Sequence, residues 1–134
     1  MTGLDREVGE AIVEAATHAE APSPVIIAET RHAGGAISRP PSDTAYSTRH
    51  ADRLLQVIAL TPDPGAMADT HARMDRLWDR LAARVVAPYL NFLEGEERRE
   101  LGRSAFDAAR WERLAAIKAK VDPDEVFSSG LVLG

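Results

Sequence analysis

The sequence contains no cysteine, which excludes a disulfide framework, a thiolate nucleophile and a sulfur-ligated metal. Basic residues are in deficit: 16 Lys and Arg face 21 Asp and Glu, giving a formal net charge of -5 and a pI near 5.3. Nucleic acid is therefore not an expected partner, because phosphate neutralisation needs a basic face. No apolar run approaches the ~18–20 residues of a membrane span. The start Met1-Thr2-Gly3-Leu4-Asp5-Arg6-Glu7 lacks the basic stretch and apolar core of a secretory signal. A cytoplasmic location without membrane contact is the expectation. Gly-x-Ser-x-Gly, phosphate-cradling and Gly-x-Gly-x-x-Gly signatures are missing too. His18, His32, His50 and His71 never stand at i, i+4 spacing around a carboxylate, so no metal site is expected. What remains is ordinary for a globular chain, with 45% hydrophobic and 28% charged residues over 134 positions. Such a length fits one domain that buries roughly two-thirds of its unfolded surface.

Leu4, Val8, Ile12, Ala15 and Ala19 recur at three- and four-residue spacing and predict a helix ending near His18. Ala21-Pro22-Ser23-Pro24 breaks it. Val25 to Arg31 is short and β-branched, bounded by Pro24 and Gly34-Gly35, and reads as a strand. From Gly34 to Thr48 the chain reads as a surface loop with a short strand near Ile37. Leu54 to Leu60 is a second strand, apolar on both faces and expected to be covered on both. After Pro62-Asp63-Pro64-Gly65, a helix is predicted from Ala66 to Val85, with Met74, Leu77, Trp78, Leu81 and Val85 inward. Pro88 stops it, and Tyr89-Leu90-Asn91-Phe92-Leu93 is read as a third strand. Glu94 to Glu100 is loop or weak helix. The last helix spans Ser104 to Val121, with Ser104 as N-cap and Asp107 at the third position of a capping box, which Asp fills less well than Glu; Trp111, Leu114, Ile117 and Val121 are expected to be buried, and Asp122-Pro123 closes it. The fold class expected is α+β: a small, mostly antiparallel sheet of three to four strands, covered on one face by amphipathic helices. No repeat or linker divides the chain, so a single domain over residues 1–134 is expected.

Three segments, in order, resemble the carboxy-terminal substrate domain of FAD-linked oxidases related to berberine bridge enzyme. The first is Glu29-Thr30-Arg31-His32-Ala33-Gly34-Gly35-Ala36. Thr44-Ala45-Tyr46-Ser47-Thr48-Arg49 follows, with Thr48 where histidine is common. The third combines Tyr89-Leu90-Asn91-Phe92-Leu93, Trp111-Glu112-Arg113-Leu114, Lys118-Ala119-Lys120-Val121-Asp122-Pro123 and Phe127. The resemblance implies an antiparallel sheet that roofs a flavin held by another domain. No flavin-binding half is recognised in this sequence. Hence no cofactor is expected in the isolated chain, although the family implies FAD, and the expectation is a substrate-domain module that is either a truncated product inactive alone or one half of a split oxidase with a separate FAD-binding subunit as partner. The pair Gly34-Gly35 is followed by Ala36 rather than histidine. It therefore reads as a strand-end turn, where glycine tolerates positive φ, not as a flavin anchor.

By resemblance Tyr89 is the candidate catalytic residue, polarising or deprotonating a hydroxyl of a small-molecule substrate, and Asn91 orients substrate. If the segment is a strand, the two share a face. The alternative is a half-buried tyrosine beside an amide that satisfies local backbone. Glu29 and Arg31, also two apart, are candidate substrate-binding residues or an ordinary exposed ion pair. Gln56, or its neighbour Val57, stands where some relatives carry a catalytic glutamate. The tail Ser128 to Gly134 lacks the amide through which relatives reach the flavin, so no cofactor contact is expected there. Competing functional readings are a stand-alone, non-redox ligand-binding or cyclase-like module and a structural remnant. A sheet cut from a larger fold leaves open edges, and that motivates a homodimer.

Overall fold

The computed structural model describes residues 1–17, 23–39, 44–93, 95–128, 130, 131 and 133. The expected first-helix end near His18, its stripe member Ala19, the break at Ala21-Pro22, and Glu94, Ser129, Val132 and Gly134 lie outside them. The chain divides into two compact units, Met1–Gly35 with Ala51–Val86 and Ala36–His50 with Ala87–Gly134.

The first unit holds α1 (Arg6–Ala16), β1 (Val25–His32), β2 (Arg53–Ala59) and α2 (Met67–Leu81). Asp5 caps α1: its Oδ1 accepts from the Val8 N–H at 3.1 Å, satisfying one of the orphan donors of a first turn. The Val8 N–H holds the Asp5 carboxyl below its ordinary range, and the Arg84 guanidinium helps against burial. Val8, Ala11 and Ala15 form the buried stripe. At the other end, Arg73 of α2 donates from Nη1 to the carbonyls of Glu14, Ala15 and Thr17, at 3.3, 3.4 and 2.8 Å. A cation there also meets the negative end of the helix dipole.

β1 and β2 pair antiparallel, with Glu29 opposite Gln56, Arg31 opposite Leu54, and an irregularity between Val25 and Ile27. Leu55 and Val57 pack against the core of Met1, Val8, Ala11, Ala15, Leu77 and Leu81, so α1 and α2 cover that face. Val8 and Leu81 are almost wholly buried, each contributing roughly 1.5–3 kcal/mol by burial. The architecture is α+β, as expected, but the sheet among the described residues has two strands rather than three or four. Ile37 falls in a turn, and Tyr89 to Leu93 is no strand: Leu90–Phe92 forms a 3-10 turn. α2 ends at Leu81, where Arg84 and Val85 N–H groups return to the Leu81 carbonyl, leaving Val85 and Trp78 exposed at 41% and 39%. Gly35 has φ +61°, the strand-end glycine turn read from the sequence.

The second unit contains the 3-10 turn Leu90–Phe92, α3 (Gly95–Leu101), a 3-10 turn Gly102–Ala105, and α4 (Ala108–Val121). Asp107 rather than Ser104 caps α4, its Oδ1 accepting from the Arg110 N–H at 2.9 Å. Ser104 instead donates to the Leu101 carbonyl. The buried stripe expected on α4 is only half realised: Trp111 and Leu114 are half-buried, while Ile117 and Val121 are exposed. Among this unit's described residues, only Gly102 and Asp122 are buried.

Candidate functional site

Directly opposed residues of an antiparallel pair share a face. Glu29 and Gln56 are so opposed, and Arg31 lies two along from Glu29. All three therefore stand on the sheet face away from Leu55, Val57 and the helices. An Arg31 Nη2 lies 2.5 Å from a Glu29 Oε1, with the two side chains 59% and 37% exposed. At that exposure the pair adds little stability. Its effect is directional, holding a carboxylate, a guanidinium and a nearby primary amide on one open surface. β2 is only half-buried along its length, and this polar set explains why full cover on both faces does not occur.

Tyr89 and Asn91 lie in the other unit. The strand that was to align them is absent, yet a tight turn brings them together: the Asn91 amide donates to the Tyr89 hydroxyl at 3.1 Å. That bond fills one lone pair of the phenolic oxygen and leaves its O–H free to donate. The Tyr89 ring is fixed on two sides. Phe92 lies 5.4 Å away between centroids, and Tyr46 meets it edge-on at 6.3 Å and 83°, a favoured arrangement of ring quadrupoles.

Tyr46 is positioned by the loop that carries it. The Arg49 guanidinium sits 5.2 Å from the Tyr46 ring centroid, a cation–π distance. The same guanidinium donates to the Ile37 carbonyl at 2.7 Å and the Thr44 hydroxyl at 3.0 Å. The start of α4 holds the loop as well: Arg110 Nε donates to the Thr44 carbonyl at 2.7 Å, and the Asp107 N–H to the Ser47 hydroxyl at 3.3 Å. The Arg110 backbone N–H and then its guanidinium hold the Asp107 carboxyl below its ordinary range. Asp107 was read from the sequence as the third position of a Ser104 capping box rather than as the cap itself, and Arg110 was not singled out, although Asp-x-x-Arg ahead of an apolar run is a legible cap and i, i+3 pair. Thr48, where the resemblance suggested histidine, is half-buried.

The closing Asp122-Pro123 is a further structural centre that residue types alone did not reveal. Asp122 Oδ1 accepts from the Val126 N–H at 2.9 Å and Oδ2 from the Phe127 N–H at 3.2 Å. Lys118 pairs with Asp122 and donates to the Phe127 carbonyl at 3.0 Å. The Lys118 ammonium, followed by the two N–H groups, holds the Asp122 carboxyl below its ordinary range despite burial. A Lys at i with an Asp at i+4 was the available sequence signal.

Two surface cavities are lined by other residues. One lies between α1 and α2 beside Arg73, Arg76 and Arg80; the other is lined by Lys118, Asp122 and Glu125 together with Ala115, Ala119, Pro123 and Leu133. Neither is lined by Tyr89, Asn91, Glu29, Arg31 or Gln56. Among the described residues no group of three or more His, Asp or Glu converges on a metal position. No described helix is long and apolar enough to cross a membrane.

Residues 88–130 match the sequence model of the family described as berberine and berberine-like. The match begins one residue before Tyr89 and runs beyond Phe127, in the C-terminal part of the chain. No curated protein is significantly similar to the chain.

Proposed function

We propose that this chain is a substrate-facing module of a berberine-bridge-type, FAD-linked oxidoreductase, acting with a separate FAD-binding polypeptide. One observation carries the reading: the family match starts at the residues that form the Tyr89–Asn91 pair. The bound flavin of the partner would supply the redox chemistry. This chain's residues orient the substrate. The Tyr89 hydroxyl, with one lone pair held by Asn91, donates to or accepts from a hydroxyl of a small-molecule substrate, and Asn91 fixes its direction. Tyr46, Phe92 and Arg49 keep the phenol ring from swinging away. Glu29, Arg31 and Gln56 form a second polar contact surface for substrate, on the first unit.

The test is co-expression with a candidate FAD-binding polypeptide. The isolated chain should purify colourless, whereas the complex should be yellow and consume oxygen with substrate. Tyr89→Phe in that complex should leave the flavin absorbance unchanged and lower turnover about 10²- to 10⁴-fold, the usual contribution of positioned acid–base groups. Unchanged turnover in Tyr89→Phe would remove Tyr89 from the chemistry. A flavin retained by the isolated chain would remove the need for a partner.

A further inference from the structure

Among the described residues the sheet consists of β1 and β2 alone, so each strand has one edge that the other does not cover. The far edge of β2 is occupied in part: the Arg53 N–H donates to the Met1 carbonyl at 3.2 Å and the Gly3 N–H to the Asp52 carboxylate at 2.9 Å. Along the far edge of β1 no described strand lies. Which of its backbone groups point there follows from the register. The Ala33 N–H donates to the Asp52 carbonyl at 2.8 Å, and Ala33 follows the opposed pair His32 and Arg53. Backbone groups of a strand alternate between its two sides. Glu29 and Arg31 therefore aim theirs at β2, whereas Ala28, Thr30 and His32 aim theirs outward. An open row of donors and acceptors is a template for another strand.

The charged side chains of β1 select which strand. On an antiparallel neighbour related by a two-fold axis at Thr30, outward backbone groups meet outward backbone groups: Thr30 faces Thr30, and Ala28 faces His32. Glu29 of each copy then stands directly opposite Arg31 of the other. This is the closer, non-hydrogen-bonded kind of pair, with Cα atoms about 4.5 Å apart, and opposite charges so placed attract. Moving the axis to Glu29 or to Arg31 would set like charges directly opposite, where they repel. The order Glu29-Thr30-Arg31 is thus complementary to itself in one register, as an isologous contact requires. The helices leave room for it. Ala28 is opposed to Val57 and so lies on the helix side of the sheet, yet it is exposed, so α1 and α2 do not close over β1 at this point.

We propose that two copies of this chain join through their β1 edges, with Thr30 on the two-fold axis, to make one four-stranded antiparallel sheet. The contact brings Glu29, Arg31 and Gln56 of both copies onto one continuous face. It rests on strand register and charge and involves neither Tyr89 nor a flavin, so it stands or falls separately from the functional reading. Residues 28–32 of two copies bury less than the roughly 1,600 Å² of a standard interface. A dissociation constant on the order of 10–100 µM is expected.

Sedimentation of the full chain up to about 500 µM, well above that constant, tests this. Glu29→Arg and Arg31→Glu each turn both cross-strand attractions into repulsions, and each should weaken the dimer at least about tenfold. An equimolar mixture of the two variants should associate again, because a strand with two cations then faces one with two anions. The two side chains are 37% and 59% exposed, so each variant should keep the wild-type circular dichroism spectrum and nearly its melting temperature. A wild-type chain that stays monomeric, a dimer indifferent to both substitutions, or a mixture that fails to associate would each overturn the proposal. So would an edge that pairs only when an FAD-binding polypeptide is present, since the strand covering β1 would then be that partner's.

Discussion

Asp122 is held almost out of water, at 8% exposure, yet remains ionised because Lys118 and the amides of Val126 and Phe127 converge on it. Its carboxyl titrates below the ordinary value of 3.8, chiefly through Lys118. A carboxylate whose folded-state pKa is depressed stabilises the fold fully above its unfolded value and loses that contribution as pH falls through the folded value. The closing turn should therefore be indifferent to pH from neutrality down to the ordinary carboxylate value and loosen only below it. A carbon-13 titration of the Asp122 carboxyl should give a midpoint under 3.8 in the wild type and a higher one in Lys118→Met. Equal midpoints would show that the backbone donors alone depress it.

Among the elements, α2 best separates what periodicity reveals from what it does not. Its apolar positions are Met74, Leu77, Trp78, Leu81 and Val85, but only Leu77 and Leu81 are buried, with Met74 packed partly against them. Trp78 lies one step round from Leu77, and Val85 falls past the end of the helix. Leu81→Ala should thus destabilise the chain by about 2–5 kcal/mol, as truncation of a buried leucine does. Val85→Ala should stay within roughly 0.5 kcal/mol, the range of surface changes. Urea denaturation would compare them, and similar losses would contradict this burial assignment. The regular elements of the first unit were legible because proline and glycine punctuate them and a single apolar stripe defines each helix. Tyr89 to Leu93 misled because a five-residue run of two aromatics, two leucines and an amide suits a strand and a tight turn equally. Periodicity cannot separate the two when no partner strand is in view. Ser104 misled for a related reason: Asp107 three residues later also caps, and the carboxylate beside Arg110 prevails.

At the scale of the whole molecule, the sequence offers candidate residues but not the geometry that relates them. Tyr89 with Asn91 and Glu29 with Arg31 were paired on the logic of a strand, which holds for β1 and fails for the turn, although the Tyr89–Asn91 contact survives. The loop contacts of Arg49 and Arg110 could not be read, because they join positions up to 66 apart in sequence. The units also differ in how much they bury. All the clustered core residues belong to the first, while the second buries only Gly102 and Asp122 among its described residues. With so little apolar surface removed from water, the second unit should open at lower denaturant than the first. One tryptophan stands in each, Trp78 in α2 and Trp111 in α4, where Phe106 lies 6.0 Å from its ring and the Arg103 guanidinium 4.8 Å. Trp78→Phe leaves a reporter for the second unit, and Trp111→Phe one for the first. Fluorescence in urea should give an earlier midpoint for Trp111 than for Trp78, and Leu81→Ala should shift the Trp78 transition further. Coincident midpoints would mean a single cooperative transition, in which the sparse burial of the second unit does not limit its stability.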